Sequence, residues 1–321
     1  MPALPLDLRP MEAEPVDALP SGDDWQFEPK YDGFRCLAHW RANGVRLQSK
    51  NQKPLERYFP ELAAGLAALP ESGWVLDGEI VIPGGSFETL QLRLHPAASR
   101  IEKLARESPA RLVAFDLLAR GGEDLTGRPF SERRDALEAF IRQVPGRAAL
   151  RLGKATRSAA TARGWLGREG LDGIVAKRLD LAYQPGRRAM QKFKQWRTVD
   201  CVVGGLYRRR GSEAIEYLLL GLYDEGGRLN YVGRARPDDA AEVSRKIEPL
   251  IGGMGFTGRA PGGKSRWSGR ERDPVPLEPR LVVEVSADHI TGDHMRHGAR
   301  LVRWRHDKDP KMCTMDQIRG R

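Results

Sequence analysis

The residues able to do chemistry stand in short, separated clusters. FEPKYDGFR (residues 27–35) sets Lys30 between a proline and a Tyr-Asp-Gly turn. WVLDGEIVI (74–82) puts Asp77 and Glu79 on an apolar strand, where alternation sends both to one face. LDGIVAKRL (171–179) repeats the acidic device with Asp172 and adds Lys177, and KFK at 192–194 supplies Lys192 and Lys194 on a shared strand face. A pocket built from these pieces would have carboxylates to hold Mg²⁺ and cations to hold phosphate. Lys30 would be its nucleophile. Deprotonating a free lysine at pH 7 costs about 4.6 kcal/mol, so a catalytic lysine must be desolvated or crowded by other cations. Lys192, Lys194, Arg35 and a bound metal ion are the candidates for that task. The bland alternative makes each Asp-Gly pair a simple turn and Lys30 a surface cation.

Two further patterns fall away. GRAPGGKS (258–265) has the spacing of a P-loop, but no buried strand precedes it, and RWSGRERDPVP after it cannot be a regular helix. The backbone cradle that such a loop needs is therefore missing. A flexible basic loop carrying Trp267 is the better reading, able to touch a nucleic-acid backbone. His289, His294 and His297 lack the i, i+4 spacing and the companion ligands of a zinc site, and read as ordinary loop histidines.

The elements that must position these residues can be followed along the chain. Its 321 residues and 40% hydrophobic content allow two domains with real cores. Residues 1–24 read as an extended lead-in. Strands are expected at FRCLAHW, VRLQS, WVLDGEIVI, RLVAFDLL, LDGIVAKRL and MQKFKQW, with helices at LERYFPELAAGLAAL and PFSERRDALEAFIRQV. After Arg197 the texture changes to many short strands with a single helix, DDAAEVSRKIEPLI, which suggests a small β-barrel. The expected domains are residues 1–197 and 198–321.

Lys plus Arg number 53 against 43 Asp plus Glu, a net charge of +10 that favours a polyanionic partner. Three scattered cysteines without a CxxC pair argue against a disulfide framework or cysteine zinc site, and fit a reducing cytoplasm. The sequence gives neither a signal peptide nor a membrane span, so no membrane partner is expected.

In their order, these pieces resemble the covalent nucleotidyltransferase superfamily of ATP-dependent DNA ligases, RNA ligases and mRNA-capping enzymes. KYDGFR, LDGEI, Phe115 in AFDLL, DGIVAK, KFK and RWRHDK (303–308) stand where that superfamily has its motifs. The resemblance spans about residues 25 to 310 and is nearest to the bacterial DNA ligase C group and the ligase domain of bacterial ligase D. It implies an α+β fold, in which an adenylation domain of antiparallel sheets with flanking helices precedes an OB-fold barrel. It further implies Lys30 as the lysine that takes AMP, Glu28 at the adenine end, and Arg35 on the nucleotide or a DNA 5′-phosphate. Glu79 would touch ribose or metal, and Phe115 would stack on adenine. Lys177, Lys192 and Lys194 would contact phosphate, and Arg305, Asp307 and Lys308 would orient the pyrophosphate leaving group. Two positions depart. Asp172 stands where the fourth motif commonly has glutamate, its shorter carboxylate suited to a metal held through water. Lys50 stands where arginine is usual, which exchanges a two-point grip for a point charge.

The implied cofactors are ATP and Mg²⁺ or Mn²⁺. The implied partner is nicked duplex DNA, met by a monomeric enzyme in the cytoplasm at the nucleoid, alongside other DNA-repair proteins. The closing motif lies far along the chain from Lys30, so domain motion is expected. DNA contacts are expected from Arg187 to Arg197, from Arg208 to Arg210, and from the loop with Lys264, Arg266 and Arg270. The sequence shows none of the extra N-terminal DNA-binding domain of larger ligases, which points to a minimal repair enzyme. An RNA ligase, a capping enzyme labelled by GTP, and a non-catalytic OB-type binder are the rival readings.

Overall fold

The computed structural model describes residues 4–144, 149–168, 170–237, 240–262, 273–288, 290–291, 293–295 and 298–319. It divides into two compact units, Met1–Gln195 and Trp196–Arg321. The lookalike P-loop runs into residues outside that range, as do His289, His297 and the loop with Lys264, Arg266, Trp267 and Arg270.

The first unit is built from two sheets. Strands β1 (Glu12–Val16), β2 (Trp25–Tyr31), β3 (Phe34–Arg41), β4 (Gly44–Ser49), β5 (Val75–Val81), β6 (Arg111–Arg120), β7 (Glu123–Asp124), β8 (Leu150–Leu152), β9 (Leu171–Arg178) and β10 (Arg188–Phe193) follow in chain order. One sheet runs β1-β10-β9-β2; the other runs β4-β3-β5-β6-β7, with β8 pairing β6. The Tyr-Asp-Gly turn after Lys30 carries the chain from the edge of the first sheet into the second. Gly33 is required there because a Cβ would meet the carbonyl oxygen of Ile80 at 2.1 Å.

Alternation on β5 explains both its burial and its chemistry. Leu76 and Ile80 enter a core with α1 (Pro60–Ala67) and α4 (Phe130–Arg142), leaving Asp77 and Glu79 on the opposite face. In α4, Phe130, Leu137, Phe140 and Ile141 recur at helical spacing and are buried. Arg133 is buried among them without penalty of an orphan charge, because Asp116 accepts two 2.9 Å bonds from its guanidinium. Helix α1 is shorter than the pattern suggests. Pro60 lacks an N–H and belongs in a first turn, so residues 55–59 stay outside the helix. Short helices α2 (Phe87–Gln91), α3 (Ala98–Glu107) and α5 (Ala159–Arg163) complete the unit.

The second unit is a closed barrel. Its strands are β11 (Arg197–Arg208), β12 (Ile215–Tyr223), β13 (Leu229–Arg236), β14 (Val275–Pro276), β15 (Val282–Ala287), β16 (Ile290–Thr291), β17 (His294–Met295) and β18 (Ala299–Trp304). The long β11 pairs β15 through residues 197–202 and β12 through 202–208. The order β11-β12-β13-β18-β15 therefore returns to β11, with β13 and β18 parallel and α6 (Ala240–Ile247) between β13 and β15. That is the OB-fold, which closes a sheet on itself and so leaves no edges in the ring. Val203, Leu218, Leu220, Val232 and Val285 fill it completely buried. Among the described residues, no helix is long and apolar enough to cross a membrane.

Candidate active site

A cavity of about 200 Å³ opens between the two sheets of the first unit. From β2 and β9 it takes Glu28, Lys30, Val175 and Lys177; from β10, Lys192. The other sheet contributes Arg35, Glu79 and Phe115, and Lys50 follows β4. The remaining wall is the chain around β1, residues Pro10 to Ala13.

Two β-bulges aim the site. Pro29 pairs with Ile174 and Tyr31 with Leu171, so Lys30 alone faces both Asp172 and Gly173. The extra residue on β9 turns the Asp172 carboxylate toward Lys30, where strict alternation would have sent it to the other face. Gly173 permits this with a φ of +132°, and a Cβ there would sit 2.3 Å from the carbonyl oxygen of Phe193. On the second sheet Asp77 pairs with Asp116 and Gly78 with Ala114, leaving Phe115 as the extra residue of β6. Neither Asp77-Gly78 nor Asp172-Gly173 is a turn; both lie inside strands.

Lys30 Nζ lies 2.5 Å from Asp172 Oδ2, and Lys194 Nζ lies 3.0 Å from the same oxygen. Lys30 is partly exposed, whereas the Asp172 side chain is 5% exposed. Lys192 stands among Lys30, Lys194, Lys50 and Arg188. Burial first and these cations second push its pKa below the usual lysine value. Lys50 Nζ donates to Glu12 Oε2 at 2.9 Å, an ion pair that holds the Glu12 carboxyl below its ordinary range.

The opposite wall is tighter. Arg35 grips Asp77 through Nε (2.6 Å) and Nη2 (2.8 Å), and Nη2 also donates to the carbonyl of Met11. Tyr183 donates its hydroxyl proton to Asp77 at 2.7 Å while accepting from the Met11 N–H. Asp77 is thus wholly occupied as an anchor. Glu79, opposite Arg35 on β5, is pushed up to about 7 by burial, although Arg35 and Lys30 pull the other way. Lys177, expected among the phosphate contacts, pairs with Glu28 at 2.7 Å and stands 4.4 Å from the Phe115 ring centre. Arg35 lies 4.6 Å from the same ring centre.

The closing residues belong to the barrel. Arg305 donates through Nε and Nη2 to Asp307, each at 2.9 Å, and through Nη1 to Asp200 at 3.0 and 3.2 Å. Lys308 Nζ donates to Asp200 at 2.6 Å. Arg305 holds the Asp307 carboxyl down at about 2. Of the expected DNA contacts, Arg187, Arg188, Arg197, Arg209 and Arg210 are exposed, and Arg208 is paired with Glu213. Sequence reasoning missed Glu12, Met11, Tyr183 and Asp200. Only the lone acid in VDCVVGGLY, at odds with its buried strand, could have drawn attention to the last.

A lysine, carboxylates and further cations gathered between two sheets, with an OB barrel carrying RWRHDK later in the chain, define a covalent nucleotidyltransferase. The chain belongs to the ATP-dependent DNA ligase family: the ATP dependent DNA ligase domain matches residues 10–194, and the ATP dependent DNA ligase C terminal region matches residues 211–308. It is 43% identical to DNA ligase C2 of Mycolicibacterium smegmatis, over 99% of this chain and 96% of the relative. It is 42% identical to DNA ligase C of Mycobacterium tuberculosis, over 99% and 95%. A solved Lig E DNA ligase shares the fold, with a TM-score of 0.57 at 16% identity over 93% of this chain and 98% of that one. Its activity is accordingly DNA ligation that depends on ATP.

Proposed function

We propose that this ligase seals nicks in duplex DNA through AMP carried on Lys30, in the service of DNA repair. The carrying observation is Lys30, paired with Asp172 at 2.5 Å, on the wall of a cavity that Lys50, Lys177, Lys192 and Phe115 also line. The Lys30 nitrogen loses a proton and attacks the α-phosphorus of ATP. A P–N bond forms as the bond to the bridging oxygen breaks, and pyrophosphate leaves with the electron pair. A 5′-phosphate oxygen at the nick then takes the adenylate from lysine. The 3′-hydroxyl finally attacks that 5′-phosphorus and expels AMP. Such chemistry depends on position and charge stabilisation more than on covalent help, which suits a site of cations and carboxylates.

Within the cavity, Phe115 stacks on adenine beside the fixed Glu28–Lys177 pair, so Lys177 acts at the base end. Lys50, Lys192 and Lys194 take the phosphates. Nε and Nη2 of Arg35 are engaged by Asp77 and Met11, so any grip on a phosphate falls to Nη1. Among the described residues, no group of three His, Cys, Asp or Glu stands ready to cage a metal. Mg²⁺ needs only one or two carboxylates when it shares substrate phosphates and keeps its waters. Glu79 on the cavity wall and Asp172 beside Lys30 would be the carboxylates for Mg²⁺ or Mn²⁺, which when bound would neutralise charge on the phosphate oxygens.

Met1–Gln195 form the adenylation domain and Trp196–Arg321 the OB domain, whose Arg305, Asp307 and Lys308 act on the leaving pyrophosphate. The enzyme works as a monomer, on DNA in the cytoplasm, in company with other repair proteins. Incubation with α-labelled ATP and Mg²⁺ tests the proposal. Label should become attached in an acid-labile bond, and Lys30→Ala should abolish it; labelling that survives Lys30→Ala would refute the assignment.

A further inference from the structure

The two closing cations converge on a carboxylate that lies outside both matched regions of the chain. Asp200 sits on β11, 13% exposed, and accepts from Arg305 Nη1 and Lys308 Nζ together. Its backbone is clamped at both poles by one side chain. The Asp200 N–H donates to Gln317 Oε1 at 3.1 Å, and Gln317 Nε2 donates to the Asp200 carbonyl at 3.0 Å. Asp200 also pairs directly with Glu284 across β11 and β15. Like charges facing one another on neighbouring strands are unfavourable unless something else compensates. Here the compensation is cationic, since Arg303 donates to Glu284 at 2.7 Å and Arg305 and Lys308 reach Asp200. The two acids thus form an anionic seat on the barrel wall for RWRHDK.

The two edges of the Arg305 guanidinium differ in kind. Nη1 rests on the fixed, largely buried Asp200, while Nε and Nη2 rest on Asp307, which is 68% exposed. An exposed carboxylate can be exchanged for phosphate oxygens at small cost, and a clamped one cannot. We infer that Asp200, backed by Gln317, is the positioning residue that presents the Nε/Nη2 edge of Arg305, together with Lys308, to the pyrophosphate leaving group. The inference rests on the role proposed above for Arg305 and Lys308. Asp200 itself touches neither substrate nor reacting atoms.

Because formation and reversal of the lysyl adenylate share one transition state, a positioning role predicts equal losses in both directions. Three rates separate the possibilities in the full chain: labelling by α-labelled ATP, loss of label on adding pyrophosphate, and sealing of a nick already carrying 5′-adenylate. Asp200→Asn should lower the first two by a common factor of about tenfold or more, through loss of charge-assisted bonds, and leave the third within about twofold. Asp200→Glu should recover part of the loss. Unchanged labelling in Asp200→Asn would overturn the inference, and so would a parallel fall in all three rates with no recovery by Asp200→Glu, which marks a merely structural residue. If Asp200→Asn does not fold, Gln317→Ala serves. It should lower the first two rates by about threefold and spare the third; unchanged labelling would again overturn the inference. Arg305→Ala is the separate control, since unchanged labelling in that variant would refute the leaving-group reading itself.

Discussion

The cavity and the barrel hold their cations in contrasting ways. In the cavity, Lys177 and Glu28 are each 4% exposed, and beside it Lys30 and Lys194 share an Asp172 that is 5% exposed. In the barrel, Arg305 leans on one sheltered carboxylate and one open to water. Breaking a buried pair leaves an uncompensated charge in a poor dielectric, so such a pair fixes geometry. An exposed pair is weak and screened, so it can change partners. On the reading proposed above, the Lys177–Glu28 pair belongs to a preformed base end of the site, and the Arg305–Asp307 pair to a cationic edge ready for a new anion.

The sharpest way to break the contrast is at its chemical centre. Lys30→Ala should abolish labelling by ATP and sealing of ordinary nicks, a loss beyond about a thousandfold, read by single-turnover assays. Glu28→Ala comes next. It strands Lys177 in the interior and should cost about 3–5 kcal/mol of stability in urea unfolding. Asp307→Ala should leave the unfolding midpoint where it was, and equal losses in the two variants would erase the distinction. A smaller effect is expected from Glu79, whose carboxyl is raised from the ordinary 4.5 to about 7. A raised acid favours the folded state while protonated, so its contribution is complete below about 4.5 and lost as pH climbs through about 7. Thermal melts of the ligand-free protein should show that decline, and Glu79→Gln should flatten it. Least of all, Lys50→Arg should restore a two-point grip and lower the KM for ATP by about threefold or less.

The sequence made some of this architecture legible and hid the rest for identifiable reasons. Strands β5 and β9 were readable because apolar residues bracket their acids, and α4 because its apolar spacing follows 3.6 residues per turn. The bulges at Phe115 and Gly173 were not, because a bulge is a property of two paired strands and leaves no mark on either alone. Strand β1 lies where the sequence pattern shows only an extended lead-in; its Pro15 is tolerated because β1 is an edge strand. The gathering of Glu28, Lys30, Arg35, Glu79, Phe115 and Lys192 around one cavity followed from motif order, but the partner of each cation did not. Lys177 shows why. Position on β9 gives its face, while Glu28 and Phe115, from different strands, decide which end of the cavity its ammonium occupies.

The wall formed around β1 has a consequence for synthesis. Met11 bonds to Tyr183 across 172 residues, and Lys30 meets Asp172 across 142. A ribosome releases Lys30 early, yet its carboxylate partner and the strand that seats β1 emerge only as the first unit nears completion. Long-range pairings of this kind close late and slowly. A nascent chain halted before β9 would hold Lys30 without Asp172 and without the strand that seats β1.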